Sequence, residues 1–222
     1  MTEPDKPLSL VVLISGRGSN LKAILDAIQV GELTATVRAV ISSRVDADGL
    51  QFAHGHNIDT LALDPADYPV REDYDRALQG LIDRFQPDLV LLAGFMRILS
   101  PAFVHHYRGR LINIHPSLLP ALRGLDTHRR ALEAGLTEHG ASVHLVTEEL
   151  DSGPVIIQAR IPVLAGDTPD TLAARLLPQE HRLYVQALRL LAEKRLYWDG
   201  KQLLYDQQPL QHPLQLDAEQ RH

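Results

Sequence analysis

The 222-residue sequence contains no cysteine. That excludes a disulfide framework, a thiolate metal site and a cysteine nucleophile, and it fits a reducing compartment. Long hydrophobic runs are also missing. The longest, residues 89–96, falls far short of the roughly 20 residues that a membrane span requires. Residues 1–7 are polar and acidic, without the apolar segment of a signal peptide. Positive charge is scarce: 22 Lys and Arg stand against 28 Asp and Glu, a formal charge of −6. A broad nucleic-acid grip calls for clustered positive charge, so that class is disfavoured, although a local basic pocket is still allowed. These absences predict a cytoplasmic protein with neither a membrane nor a nucleic acid as partner.

What is present belongs to an ordinary globular chain, 45 % hydrophobic and 23 % charged. Its length suits one large domain, here residues 8–206. A tail at 1–7 precedes it, and a Gln-, Pro- and His-rich stretch at 207–222 shows no periodicity and is expected to be poorly ordered. Residues 8–14 and 89–93 are nearly continuous Leu, Val and Ile, the texture of strands buried on both faces of a parallel sheet. Between them Leu21, Ile24, Leu25 and Ile28 trace one helix face, which Ser19 or Asn20 can cap and Gly31 can end. Residues 36–42 and 59–63 read as strands, 47–56 as a short helix, and 74–85 as a long helical stripe halted before Pro87. The fold class expected is therefore α/β. It is a Rossmann-like, mostly parallel twisted sheet of about seven strands with helices on both faces. The second half (101–206) differs from the first (8–100). Strands at 110–115, 141–146 and 155–163 include a pair joined through Asp151-Ser-Gly-Pro154, a link short enough for an antiparallel hairpin. A helix over 171–194 should be kinked or restarted by Pro178, and 196–205 holds a hairpin around Asp199-Gly200.

Three places carry chemistry. Ser15-Gly-Arg-Gly-Ser-Asn20 sits between a buried strand and an amphipathic helix, where free backbone N–H groups attract an anion. Its third glycine position is Leu21, and no acidic residue ends the second strand at Ser42-Ser43-Arg44, so a mononucleotide-sized phosphate suits it better than NAD. Asn113 and His115 lie two apart on a strand and project together, and Pro116 ends the strand there. An amide and an imidazole side by side can stabilise one developing oxyanion. Asp151 occupies a turn, where Asp is common for local reasons. Spacing alone leaves open whether it reaches His115. The paired histidines His54/His56 and His105/His106 lack metal-ligand spacing.

The strings Ile14-Ser-Gly-Arg-Gly-Ser-Asn-Leu21, Leu92-Ala-Gly-Phe-Met-Arg-Ile-Leu-Ser100, Asn113-Ile-His-Pro-Ser-Leu-Leu-Pro120 and Val143-His-Leu-Val-Thr-Glu-Glu-Leu-Asp-Ser-Gly-Pro-Val155 occur in order. Together they resemble the folate-dependent formyltransferases, specifically those acting on phosphoribosylglycinamide in purine synthesis. The likeness runs from about residue 10 to 184. It implies transfer of formyl from 10-formyltetrahydrofolate, as co-substrate, to the glycinamide amine, without a metal, by a monomer or homodimer. On this resemblance Gly18, Ser19 and Asn20 hold the substrate phosphate and Glu180 contacts its ribose-glycinamide part. Arg71 meets the folate tail. Met96, Arg97, Ile98 and Leu99, with Thr147, Glu148, Glu149, Leu150 and Asp151, enclose the pterin, which Asn113 also touches. The implied catalytic set is Asn113, His115 and Asp151. Asn113 and protonated His115 stabilise the oxyanion, and Asp151 keeps His115 charged and assists proton transfer.

Departures from the pattern fall in loops and one helix. Pro178 precedes Glu180, Ala121-Leu122-Arg123-Gly124 lacks a proline before its glycine, Asp126 replaces a common His, and Val185 replaces a proline. Three other readings stay open. A methionyl-tRNA formyltransferase would carry a further C-terminal domain, and a formyltetrahydrofolate deformylase an N-terminal regulatory one. A nucleotide or folate sensor would bind without catalysis.

Overall fold

The computed structural model describes residues 6–216. In chain order the elements are β1 (Leu8–Ile14), α1 (Ser19–Gln29), β2 (Ala35–Ser42), α2 (Asp48–Gly55), β3 (Asp59–Ala62), α3 (Arg71–Asp83), β4 (Leu89–Leu92), α4 (Pro101–His106) and β5 (Leu111–His115). Then follow α5 (Thr127–Glu133), β6 (Glu138–Leu145), β7 (Val155–Pro162), α6 (Pro169–Ala192), β8 (Leu196–Trp198), β9 (Leu203–Tyr205), β10 (Gln208–Pro209) and β11 (Leu214–Gln215). Eight strands form one sheet in the order β11-β7-β6-β5-β4-β1-β2-β3, and β10-β9-β8 form a small antiparallel sheet. The pairs β3/β2, β2/β1, β1/β4 and β4/β5 are parallel, whereas β5/β6 and β6/β7 are antiparallel.

The unbroken apolar texture of β1 and β4 has a simple cause. Leu10, Val12 and Ile14 pack in one core beneath α1 and α6, together with Leu89 and Leu91. Val11, Leu13, Val90 and Leu92 pack in a second core beneath α3 and α4. A strand covered on both faces has no position left for a polar residue. Each fully buried Leu, Ile or Val here stabilises the fold by about 1.5–3 kcal/mol.

Several expectations are corrected. The seven expected strands are all in the sheet, and an eighth is added where Leu214 and Gln215 pair with Ile157 and Gln158 on the free edge of β7. The stretch from Gln207 was expected to be disordered. Within it, 208–209 and 214–215 are strands, and Leu210, Leu214 and Leu216 pack against the first core. Apolar side chains spaced along a polar segment were enough to dock it. Residues 217–222 of that stretch, and residues 1–5 of the expected N-terminal tail, lie outside the described residues. Pro178 neither ends nor restarts its helix, since α6 is continuous from Pro169 to Ala192 with Pro178 inside it. Leu172, Leu176, Leu183, Tyr184 and Leu188 are buried along its length, and this packing outweighs one missing backbone donor. No side chain caps α1. Gly18, in a left-handed conformation (φ 71°), takes the cap position and Ser19 is already helical. No helix of the described residues is long and apolar enough to cross a membrane.

Candidate active site

Strands β1, β4 and β5 are neighbours and run parallel. Their carboxyl ends, at Ile14, Leu92 and His115, therefore open on one edge of the sheet, the usual place for a ligand in an open α/β fold. Three of the four strings singled out in the sequence begin there.

The glycine turn after β1 is built by close backbone approach. A Cβ on Gly18 would lie 2.9 Å from Cα of Gly49, and one on Gly49 would lie 2.5 Å from Ile14 Cδ1 and 3.1 Å from the Gly16 carbonyl. Gly49, in the first turn of α2, donates its N–H to that carbonyl at 3.1 Å. The first helical hydrogen bond of α1 runs from Lys22 N–H to Gly18 O. The N–H groups of Ser19, Asn20 and Leu21 precede it and are left for an anion. Asn20 is buried, its Oδ1 has no partner among the described residues, and its side chain is hydrogen-bonded to Glu180 on α6. That contact puts the two expected substrate-binding groups side by side. Burial pushes the Glu180 carboxyl up to about 7 against the lowering effect of Asn20. One turn further along α6, the buried Tyr184 hydroxyl donates to the carbonyls of Leu92 (3.2 Å) and Ile112 (3.1 Å). This pins the helix bearing Glu180 over β4 and β5, whatever Pro178 does to its backbone.

Asn113, His115 and Asp151 converge. The Asp151 carboxylate is 3.4 Å from His115 Nδ1 and accepts the Gly124 N–H at 2.9 Å. Both His115 and Asp151 are buried. The other His115 nitrogen, Nε2, is 3.0 Å from the Leu122 carbonyl, so protein acceptors face both sides of the ring. Asn113 Nδ2 lies 3.2 Å from Nε2 of His144. Its second N–H and its Oδ1 have no protein partner among the described residues. The loop that delivers Asp151 is tightly seated. A Cβ on Gly153 would lie 1.8 Å from the Leu145 carbonyl, so only glycine fits there.

The residues expected around the folate occupy two loops. Met96, Ile98 and Leu150 are large apolar side chains left exposed, at 73 %, 63 % and 51 %, whereas Leu99 is buried in the second core. The loop holding Met96 is anchored by its own N–H to Ser15 Oγ. Arg97 stacks over the ring of Tyr74 with its guanidinium 5.0 Å from the centroid. It therefore sits near the first turn of α3, where the exposed Arg71 lies 3.6 Å from Glu72. Thr147, Glu148 and Glu149 line a cavity of about 390 Å³ shared with His105 and Arg108, and Glu149 pairs with Arg123 at 2.8 Å. That pair joins the loop before Gly124 to the loop before Asp151. A larger cavity of about 710 Å³, between α1, α6 and the C-terminal segment, contains none of these residues. Among the described residues no group of three or more His, Asp or Glu is arranged to hold a metal ion.

Sequence reasoning missed Gly49 and His144. The signal for His144 was alternation: Ser142 and His144 interleave with Ala141, Val143 and Leu145, so both polar side chains share one face of β6. Only the register Asn113↔His144 places that face against the site. For Gly49 no sequence signal existed, because its partner Gly18 lies on another element.

Comparison with known proteins gives one consistent result. The formyl transferase family model matches residues 8–188. The chain is 56 % identical over 189 residues to phosphoribosylglycinamide formyltransferase of Escherichia coli (strain K12), covering 85 % of this chain and 89 % of that one. The solved structure of the phosphoribosylglycinamide formyltransferase from Coxiella burnetii matches with a TM-score of 0.90 at 50 % identity, over 95 % of this chain and all (100 %) of that one. A formyltetrahydrofolate deformylase from Pseudomonas syringae pv. tomato matches at a TM-score of 0.81 and 28 % identity, over 90 % of this chain and 66 % of that one.

Proposed function

Because the chain belongs to the formyl transferase family, we propose that it transfers a formyl group from 10-formyltetrahydrofolate to the primary amine of 5′-phosphoribosylglycinamide in purine synthesis. The observation that carries this reading is the meeting of Asp151 with His115 beside Asn113, on the sheet edge that also holds the glycine turn. The free N–H groups at the start of α1 receive the phosphate. Glu180, held by Asn20, accepts hydrogen bonds from the ribose-glycinamide part. The exposed Met96, Ile98 and Leu150 offer apolar surface to the pterin, and Arg71 and Arg97 offer positive charge to the carboxylates of the folate tail.

The amine nitrogen attacks the formyl carbon, forming a C–N bond and turning the formyl oxygen into an oxyanion. Asn113 donates to that oxygen through the N–H that the protein leaves free. His115 joins it once Nε2 exchanges the Leu122 carbonyl for the oxyanion. The amine loses a proton and the folate nitrogen gains one as its bond to the carbon breaks. Asp151, in contact with His115, assists that transfer. No covalent bond to the enzyme forms. Holding two reactants in line supplies much of the rate, since effective molarities reach about 10⁵–10⁸ M.

The test is to mix the purified protein with 10-formyltetrahydrofolate, with and without phosphoribosylglycinamide. Release of tetrahydrofolate only when the amine is present is the expected result. Release without it makes the protein a deformylase, the activity named for one of the structural matches. No release in either case makes it a binding protein, and both of these outcomes overturn the proposal.

A further inference from the structure

One buried imidazole at the site has no part in the reaction as written. His144 is 1 % exposed. Its Nδ1 is 2.9 Å from the Leu145 carbonyl. A carbonyl only accepts, so Nδ1 carries a proton. Its Nε2 is 3.2 Å from Asn113 Nδ2. That nitrogen only donates, so Nε2 presents a lone pair. A single species satisfies both contacts: the neutral ring protonated on Nδ1. The Asp151 carboxylate, 3.7 Å from Nε2 on the β6–β7 connection, and the Leu145 carbonyl on the same strand favour a charged ring. His115 on β5 disfavours it, and burial, the largest influence, pushes the His144 pKa down.

We propose that His144 is a positioning residue acting through Asn113, whose amide it fixes end-for-end by offering an acceptor and refusing a donor. With Nε2 unprotonated, only the NH₂ end of Asn113 can face the ring, and the remaining N–H is held in one place. A proton on Nε2 would demand the amide oxygen instead. The amide would then turn over and carry its donors to its other end. Asn and Gln side chains have no intrinsic preference between these two orientations, so the choice falls to the neighbouring partner. The catalytic part of this inference rests on the role of Asn113 in the reaction proposed above, but the tautomer does not.

Two measurements separate the two. Nitrogen-15 NMR of the histidine rings, with the His144 signals assigned by their loss in His144→Gln, should show a neutral ring protonated on Nδ1 at pH 7. An Nε2-protonated ring or an imidazolium overturns the proposal, whether or not the protein transfers formyl. The kinetic measurement is a double-mutant cycle. His144→Leu should lower kcat by about 10- to 100-fold, part of the loss typical of an oxyanion donor. KM for both substrates should stay within about threefold, and in an Asn113→Ala background the same change should cost less than about threefold. His144→Gln can place its amide oxygen toward Asn113 and should retain more activity than His144→Leu. Equal losses in both backgrounds, or equal losses for Leu and Gln, show a role independent of the Asn113 amide and overturn the proposal. If His144→Leu does not fold, His144→Gln and the NMR readout decide the question.

Discussion

The Asp151 carboxylate lies 3.4 Å from Nδ1 of His115, although Asp151 stands on the connection between β6 and β7 and His115 at the end of β5. The same Oδ2 accepts the Gly124 N–H at 2.9 Å. Asp151→Asn keeps an oxygen for Gly124 and removes the negative charge beside the imidazole. The variant should fold, and its kcat should drop by at least about 10²-fold, the scale at which single electrostatic groups in such sites act. Steady-state kinetics with a thermal unfolding control checks this. Turnover close to wild type would take Asp151 out of the mechanism.

Gly49→Ala tests the glycine turn from behind. The added methyl would sit 2.5 Å from Ile14 Cδ1, 3.1 Å from the Gly16 carbonyl and 3.2 Å from Gly18 Cα. A flexible side-chain end can move, but two backbone atoms cannot do so cheaply, so α2 must back away from the turn. The expected cost is about 1–3 kcal/mol of stability, the range for overpacking. KM for the phosphorylated substrate should rise well above any rise in KM for the folate. Equal rises would mean that the turn does not hold the phosphate.

These two sites also show what the sequence made legible. The buried strands, α1, α3 and the β6–β7 hairpin could be read from periodicity because each is a local pattern answering to one packed face. Asn113 and His115 were legible as a pair because a strand's period of two is fixed. The meeting with Asp151 was not, because it depends on where a loop returns in space. Gly49 was invisible for the same reason. The restart considered at Pro178 does not occur because local propensity costs a few kcal/mol at most, whereas α6 buries Leu172, Leu176, Leu183 and Leu188 on either side of it. The docking of Leu214 against β7 was hidden by a polar composition in which three leucines matter more than the average.

Glu180 should give the fold a measurable pH dependence. Its carboxyl is pushed from 4.5 up to about 7 by burial, partly offset by Asn20. Below about pH 4.5 it is protonated in both folded and unfolded chains and contributes nothing to their difference. Between about 4.5 and 7 the folded state binds more protons than the unfolded one, so stability from this group falls as pH rises. Above 7 the full penalty applies. Because the side chain is only half-buried, solvent reduces the effect to about 1–3 kcal/mol. Glu180→Gln removes the titration, so relative to wild type it should be more stable at pH 8 than at pH 5 by that amount. Denaturant melts of both proteins at the two pH values check it, and parallel pH dependences would refute a raised Glu180.

Gln158 governs the segment that leaves His115. Its Nε2 donates to the Leu119 carbonyl and to Ser142 Oγ, both at 2.9 Å. Ser142 Oγ also accepts the Leu119 N–H at 3.0 Å and donates to the Ser117 carbonyl at 2.7 Å. This hydroxyl is therefore fully engaged, and it ties residues 117–119 to β6 and β7 in a buried place. Gln158→Leu conserves most of the volume but leaves the Leu119 carbonyl without its donor. An unsatisfied buried polar group costs about 1–3 kcal/mol. Gln158→Glu places an acceptor where a donor is required and should cost at least as much. Both variants should melt at lower temperature. If this network also sets the path from His115 to Leu122, whose carbonyl faces Nε2, kcat at a temperature well below the melt should fall as well. A variant that loses stability with kcat unchanged would confine Gln158 to holding the fold and leave the geometry of His115 to Asp151 and Leu122 alone.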